Sequence, residues 1–98
     1  MKAIPRRVIE ASLQDKGFQK YEKRDHRFYY FFYEGKKTKI RTKISTGSKY
    51  KDYGMDLLKM MKRQLWLDEV KEVKDFLVCP MDQEQYTKIL LNKGKISS

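Results

Sequence analysis

Cysteine, histidine and proline are nearly missing from this chain of 98 residues, which has one cysteine, Cys79, one histidine, His26, and two prolines. A single thiol excludes an internal disulfide and a cysteine-based metal site. Cys79 therefore reads as a small buried or half-buried hydrophobe, and no cofactor is expected. Long apolar runs are missing as well. No segment approaches the roughly 18 apolar residues of a membrane span, and the opening MKAIPRRVIE has no stretch suited to a signal peptide. A cytoplasmic protein without a membrane partner is expected. The GxxxxGK[ST] phosphate loop, the HExxH pair, a Cys/His cluster and the GxSxG elbow do not occur, which argues against nucleotide hydrolysis, zinc chemistry and α/β-hydrolase catalysis. The acidic residues are scattered through helical stretches, so no two-metal nuclease centre is expected. Metal-independent chemistry or binding remains.

Negative charge is the scarcer sign. Thirteen Asp and Glu stand against twenty-three Lys and Arg, a formal net charge of +10. So strong a positive potential on so small a surface points to a polyanionic partner, with nucleic acid the commonest. An acidic protein, a membrane surface or plain solubility would give the same count. Hydrophobic residues make up 40% and charged ones 37%, the balance of an ordered globular chain with a charged exterior. The length suits one domain and one core over residues 1–98.

Apolar residues at three- and four-residue spacings predict a helix over residues 5–16, with Gly17 placed to end it. Residues 18–23 give a weak strand signal. From His26 to Tyr33, six aromatics in succession fit a pleated strand better than a helix. Glu34-Gly35 supplies a tight turn, and residues 36–44 alternate between two faces as a second strand. After a loop at residues 45–48, a helix is expected to begin between Lys49 and Gly54, with Leu57, Leu58, Met61 and Leu65 as its apolar stripe. Asp68 is placed to cap a third helix that Cys79-Pro80 ends. Asp82 and Gln85 have capping-box spacing for a fourth helix over residues 83–92. The tail from Lys93 is expected to fray.

A two-residue turn at Glu34-Gly35 pairs Tyr33 with Lys36, Tyr29 with Ile40 and His26 with Lys43. One face then carries Tyr29, Phe31 and Tyr33 with Thr38, Ile40 and Thr42, suited to packing against helices. The other interleaves His26, Phe28, Tyr30 and Phe32 with Lys37, Lys39, Arg41 and Lys43. Cations can neutralise phosphates while rings stack on bases, which suits RNA or a single strand. Lys37, Lys39, Arg41 and Lys43, with Lys49 beyond the loop, are the candidate phosphate contacts, and Phe28, Tyr30 and Phe32 the candidate base contacts. The competing reading has the rings packed under another element and the lysines keeping an edge strand soluble.

Histidine, with an ordinary pKa of about 6.5, can take a proton at neutral pH, and RNA carries its own nucleophile in the 2′-hydroxyl. His26 beside Lys43 and Arg41 is thus a candidate general base, and a nearby cation would hold it in the neutral, proton-accepting form.

The order of signals from Arg7 to Leu67 resembles the HicA family of toxin–antitoxin systems. The resemblance rests on a first helix running into Lys16-Gly17-Phe18, a strand, His26 at the start of the next strand, and the Glu34-Gly35 hairpin. A basic strand, a glycine-containing loop and a helix ending near Lys62-Arg63-Gln64-Leu65 complete it. It implies an α+β fold with a double-stranded-RNA-binding-domain-like α-β-β-β-α core over residues 1–67, its three-stranded antiparallel sheet packed on helices. It also implies a metal-independent RNA-cleaving toxin with His26 as the catalytic histidine, Tyr29 in the core and a HicB-like antitoxin as partner. Where the family usually carries Gly-Ser before the histidine, this chain has Arg24-Asp25. It also continues through a helical extension, residues 68–98, that could complete the core, bind an antitoxin or form a dimer. The alternative from another class is a noncatalytic RNA- or DNA-binding module of the same fold, and a third is a protein-interaction domain for an acidic partner.

Overall fold

Pro5, with φ near −58°, leads the chain from a two-residue strand, β1 (Ile4–Pro5), straight into helix α1 (Arg6–Asp15). Ile9 and Leu13, one turn apart, bury the inner side of α1, and Ser12 donates its hydroxyl to the Leu77 carbonyl. Gly17 follows at φ +95°, where a Cβ would stand 2.6 Å from the Gln83 side chain and 3.1 Å from the Phe31 ring. The positive φ favours glycine there, and a Cβ would also have to displace the end of the Gln83 side chain. The computed structural model describes residues 3–23, 26–45, 51–78 and 81–96. The expectations for Lys49, Arg24-Asp25, the loop at 46–48 and Cys79-Pro80 fall outside them.

The described residues form a small α+β domain with a three-stranded antiparallel sheet and four helices. The sheet runs β2 (Phe18–Lys23), β3 (His26–Tyr33), β4 (Lys36–Ser45), with β3 in the middle. Glu34 and Gly35 both take positive φ, 50° and 77°, as a two-residue hairpin turn compatible with strand twist requires. Next to the turn the pairing is as expected, Tyr33 with Lys36 and Phe32 with Lys37. Beyond it a bulge sets Phe31 alone against Thr38, Lys39 and Ile40. The Thr38 hydroxyl donates to the Phe31 carbonyl at 2.7 Å and accepts from the Ile40 amide at 3.2 Å, replacing ladder bonds. Consequently Tyr29 faces Thr42, not Ile40, and His26 faces Ser45, not Lys43. A two-residue shift preserves the alternation, so each side chain keeps its face. Tyr29, Phe31, Ile40, Thr42 and Ile44 are buried against the helices.

A strand absent from the sequence reading, β5 (Asp52–Tyr53), pairs with β1. It buries Tyr53, whose hydroxyl accepts from the Ser45 amide at 3.0 Å. Helix α2 (Met55–Gln64) starts after Gly54 and buries Leu58 and Met61. Its last residue, Gln64, accepts from the Thr42 hydroxyl at 2.6 Å and from the Lys43 amide at 3.2 Å, closing part of the outer edge of β4. Past the helix, Trp66 N–H donates to Arg63 and Leu67 N–H to Lys62, with Trp66 at φ +61°. That is a Schellman ending whose left-handed position glycine usually fills, at a cost of roughly 1–2 kcal/mol for a side-chain-bearing residue.

Helix α3 (Val70–Val78) is not capped by Asp68; the Glu72 carboxylate accepts the Asp68 and Glu69 amides at 2.8 and 3.1 Å. Asp68 pairs with Lys93 across the molecule. Helix α4 (Gln83–Asn92) has the capping box expected of Asp82 and Gln85. Phe18 and Phe31 from the sheet meet Phe76 from α3 and Tyr86 from α4, with ring centroids 4.7 to 5.9 Å apart. One hydrophobic cluster thus draws on residues from both sides of Leu67. The tail is not frayed as far as Ile96, which packs on that cluster.

Candidate nucleic-acid interface

Alternation in β2, β3 and β4 fixes what the sheet turns away from the helices: Tyr21 and Lys23, then His26, Phe28, Tyr30 and Phe32, then Lys37, Arg41 and Lys43. Phe28, Tyr30 and Phe32 are half-buried and Tyr21 is 39% exposed. Phe32, nearest the turn, shares a cleft with Gln83, Glu84 and Thr87 of α4. Tyr21 and Tyr30 meet edge to face, 5.3 Å between centroids. The Lys37 ammonium lies 4.4 Å from the Tyr21 ring centre and 4.0 Å from that of Tyr30. The Arg41 guanidinium lies 5.4 Å from the Phe28 ring centre and 6.0 Å from that of Tyr30. Cations drawn to ring faces in this way are held in place yet stay open to anions on their far side.

Arg41 also donates to the Tyr30 hydroxyl at 3.1 Å. That bond, helped by the charges of Arg41, Lys37 and Lys23 and opposed by partial burial, lowers the Tyr30 phenol below its ordinary pKa. Arg41→Gln is therefore expected to raise the Tyr30 pKa, read from tyrosinate absorbance against a Tyr30→Phe control. An unchanged titration would show that the guanidinium is not held on the ring.

Of the remaining candidate contacts, Lys43 stands directly opposite Phe28, and Lys39 is exposed within the bulge. His26 is exposed at the first position of β3, between Lys23 of β2 and Ser45 of β4, with Lys43 on the diagonal. Among the described residues the fold brings Arg6 to this end of the sheet, where it donates to the Ser45 carbonyl at 3.0 Å. Sequence reading misses it, because the contact spans 39 positions and depends on the β1–β5 pairing. The only local signal is Arg6-Arg7 in a first helical turn that contains no acid. A shallow cleft of about 470 Å³ adjoins it, lined by Arg6, Arg7, Glu10 and Lys51 among others.

Arg27, next to His26 in sequence, points to the other face. It donates to both Glu10 oxygens at 3.0 Å and pairs with Glu22 at 3.2 Å, and Tyr29 donates its hydroxyl to Glu10 at 2.6 Å. Burial first, and this bond second, raise the Tyr29 phenol well above its ordinary pKa. The Glu10 hydrogen bond likewise raises Arg27. Arg27 thus belongs to the framework beneath the sheet and adds no charge to the outward face.

Among the described residues no group of three or more His, Cys, Asp or Glu side chains is placed to hold a metal ion. None of their helices is long and apolar enough to cross a membrane. Neither a family model, nor a curated protein, nor a solved structure matches this chain.

Proposed function

We propose that this chain is an RNA-cleaving protein of HicA type, with α1, β2, β3, β4 and α2 as a double-stranded-RNA-binding-domain-like core. One observation carries the reading. The single histidine stands exposed at the start of the central strand, on the same face as the array of rings and cations. In this mechanism Lys37, Lys39, Arg41 and Lys43 hold backbone phosphates, and the half-buried rings offer stacking surfaces worth about 1–3 kcal/mol per base. His26 takes the proton of a 2′-hydroxyl. That oxygen attacks the adjacent phosphorus as the bond to the 5′-oxygen breaks, leaving a 2′,3′-cyclic phosphate and a 5′-hydroxyl that takes up a proton from solvent. Lys43, Arg41 or Lys39 stabilises the charge that builds on the phosphate. A HicB-like antitoxin would act by covering this face.

A general base contributes about 10²–10⁴-fold. His26→Ala is expected to lose RNA cleavage by that factor, measured without added metal, while thermal stability and RNA affinity stay near wild type because the side chain is exposed. Equal cleavage by the variant would overturn the assignment.

A noncatalytic RNA-binding module is favoured by a different observation. His26 faces Ser45 and not a cation, and among the described residues no hydrogen bond orients its ring. Its signature is binding without turnover, with a log–log salt slope of about −3 for four phosphate contacts on a single strand.

A further inference from the structure

Helices α2 and α4 end in the same hydrogen-bonded motif, with different residues at its left-handed position. After α4 that residue is Gly94, φ +70°, with Gly94 N–H donating to Leu91 and Lys95 N–H to Leu90. After α2 it is Trp66, 44% exposed, in a backbone conformation that suits glycine. The two endings are clamped together. Lys93 donates to the Trp66 carbonyl at 2.6 Å and to the Asp68 carboxylate at 2.8 Å, and the Lys95 ammonium sits 3.9 Å from the Trp66 ring centre.

Held this way, Lys95 and Ile96 form one wall of an open cleft of about 680 Å³ whose other wall is the β3–β4 hairpin. Lys36, Lys37, Lys39 and Lys95 line it, against one carboxylate, Glu34. Among the described residues none of these four lysines is in an ion pair. Lys37 belongs both to this cleft and to the ring-bearing face, so the two surfaces are continuous.

We propose that the cleft holds the phosphate backbone of single-stranded RNA as it leaves the ring-bearing face, with Lys36, Lys39 and Lys95 as phosphate contacts and Trp66 as the residue that positions Lys95. This rests on the RNA-binding reading above. Single-stranded RNA fits because half-exposed rings can stack only on bases that are not already stacked within a duplex. The segment beyond α4 thereby gains a role in binding as well as in packing.

The test measures binding of a 2′-O-methyl oligouridine, which lacks the nucleophile and stays intact, to the full chain over a range of salt concentrations. Lys95→Ala is expected to bind about fivefold more weakly at moderate salt, with a slope shallower by about 0.7, the value for one lost phosphate contact. Lys71→Ala, an exposed charge on α3, is expected to leave the slope unchanged. Trp66→Gly removes the ring but suits the backbone; it is expected to weaken binding as Lys95→Ala does, and the double variant to be no weaker than either single one. A wild-type slope for Lys95→Ala overturns the inference and leaves the RNA reading standing, and so does strict additivity of the two changes. Equal binding of an oligoglutamate of matched charge overturns the assignment to nucleic acid. Failure of the wild-type chain to bind RNA overturns both readings.

Discussion

A chain shortened to residues 1–67 is expected to show no cooperative thermal transition. Such a chain lacks Val73, Phe76, Leu77, Tyr86 and Leu90, all of them buried. Burying a large apolar side chain contributes about 1.5–3 kcal/mol, so the five together amount to roughly 10 kcal/mol, which matches the whole stability of an ordinary domain, about 5–15 kcal/mol. The loss falls on the sheet, because Phe18 and Phe31 meet Phe76 and Tyr86 ring to ring. Far-ultraviolet circular dichroism during heating would decide it. A sharp transition in the shortened chain would show that α1, α2 and the sheet hold together without α3 and α4. Phe76→Ala is the milder version, with an expected loss of about 3–5 kcal/mol.

Alkali is expected to unfold the protein steeply. Tyr29, Tyr53 and Tyr86 are essentially inaccessible, and burial is the first cause that raises each phenol above its ordinary value. Below about pH 10 the three phenols are protonated in both folded and unfolded chains, and their stabilisation is fully present. Above that pH the unfolded chain releases its phenolic protons first and the folded chain retains them, so stability falls as pH rises towards the folded values. Each tyrosine contributes a slope of up to about 1.4 kcal/mol per pH unit, or about 4 kcal/mol for all three. Urea midpoints measured at about pH 9 and about pH 11 should differ accordingly, and Tyr86→Phe should make the decline shallower by about a third. An unchanged midpoint would mean that these hydroxyls reach solvent in the folded chain.

The hairpin shows what a sequence reveals about such a face. Strict alternation in β3 and β4 separates Tyr29 and Phe31 from Phe28, Tyr30 and Phe32, and the fold keeps that separation. Cross-strand partners are not legible, since the bulge depends on the Thr38 hydroxyl taking over ladder bonds, and threonine in a strand does not announce that use. Its two-residue size keeps every side chain on the face that alternation predicts while moving the partner of His26 from Lys43 to Ser45. The Asp82 cap was readable because donor and acceptor lie three residues apart. Asp68 misled because Lys93, 25 residues away, engages its carboxylate. The two-residue strands β1 and β5 are too short for any periodicity, so Arg6 and its contact with Ser45 could not be foreseen.

The ring cluster also sets an order in time. A two-residue hairpin such as β3–β4 forms within about 1–10 μs once its residues are available. Phe18 and Phe31, however, find their last ring partner in Tyr86, which a ribosome working at roughly 5–20 residues per second adds seconds later. In the interval the part of the sheet's inner side around Phe18 and Phe31 lacks its Tyr86 cover, and the nascent chain is expected to have an incomplete core. The nucleic-acid role proposed for the outward face would therefore be withheld during synthesis, until α4 emerges and closes the core.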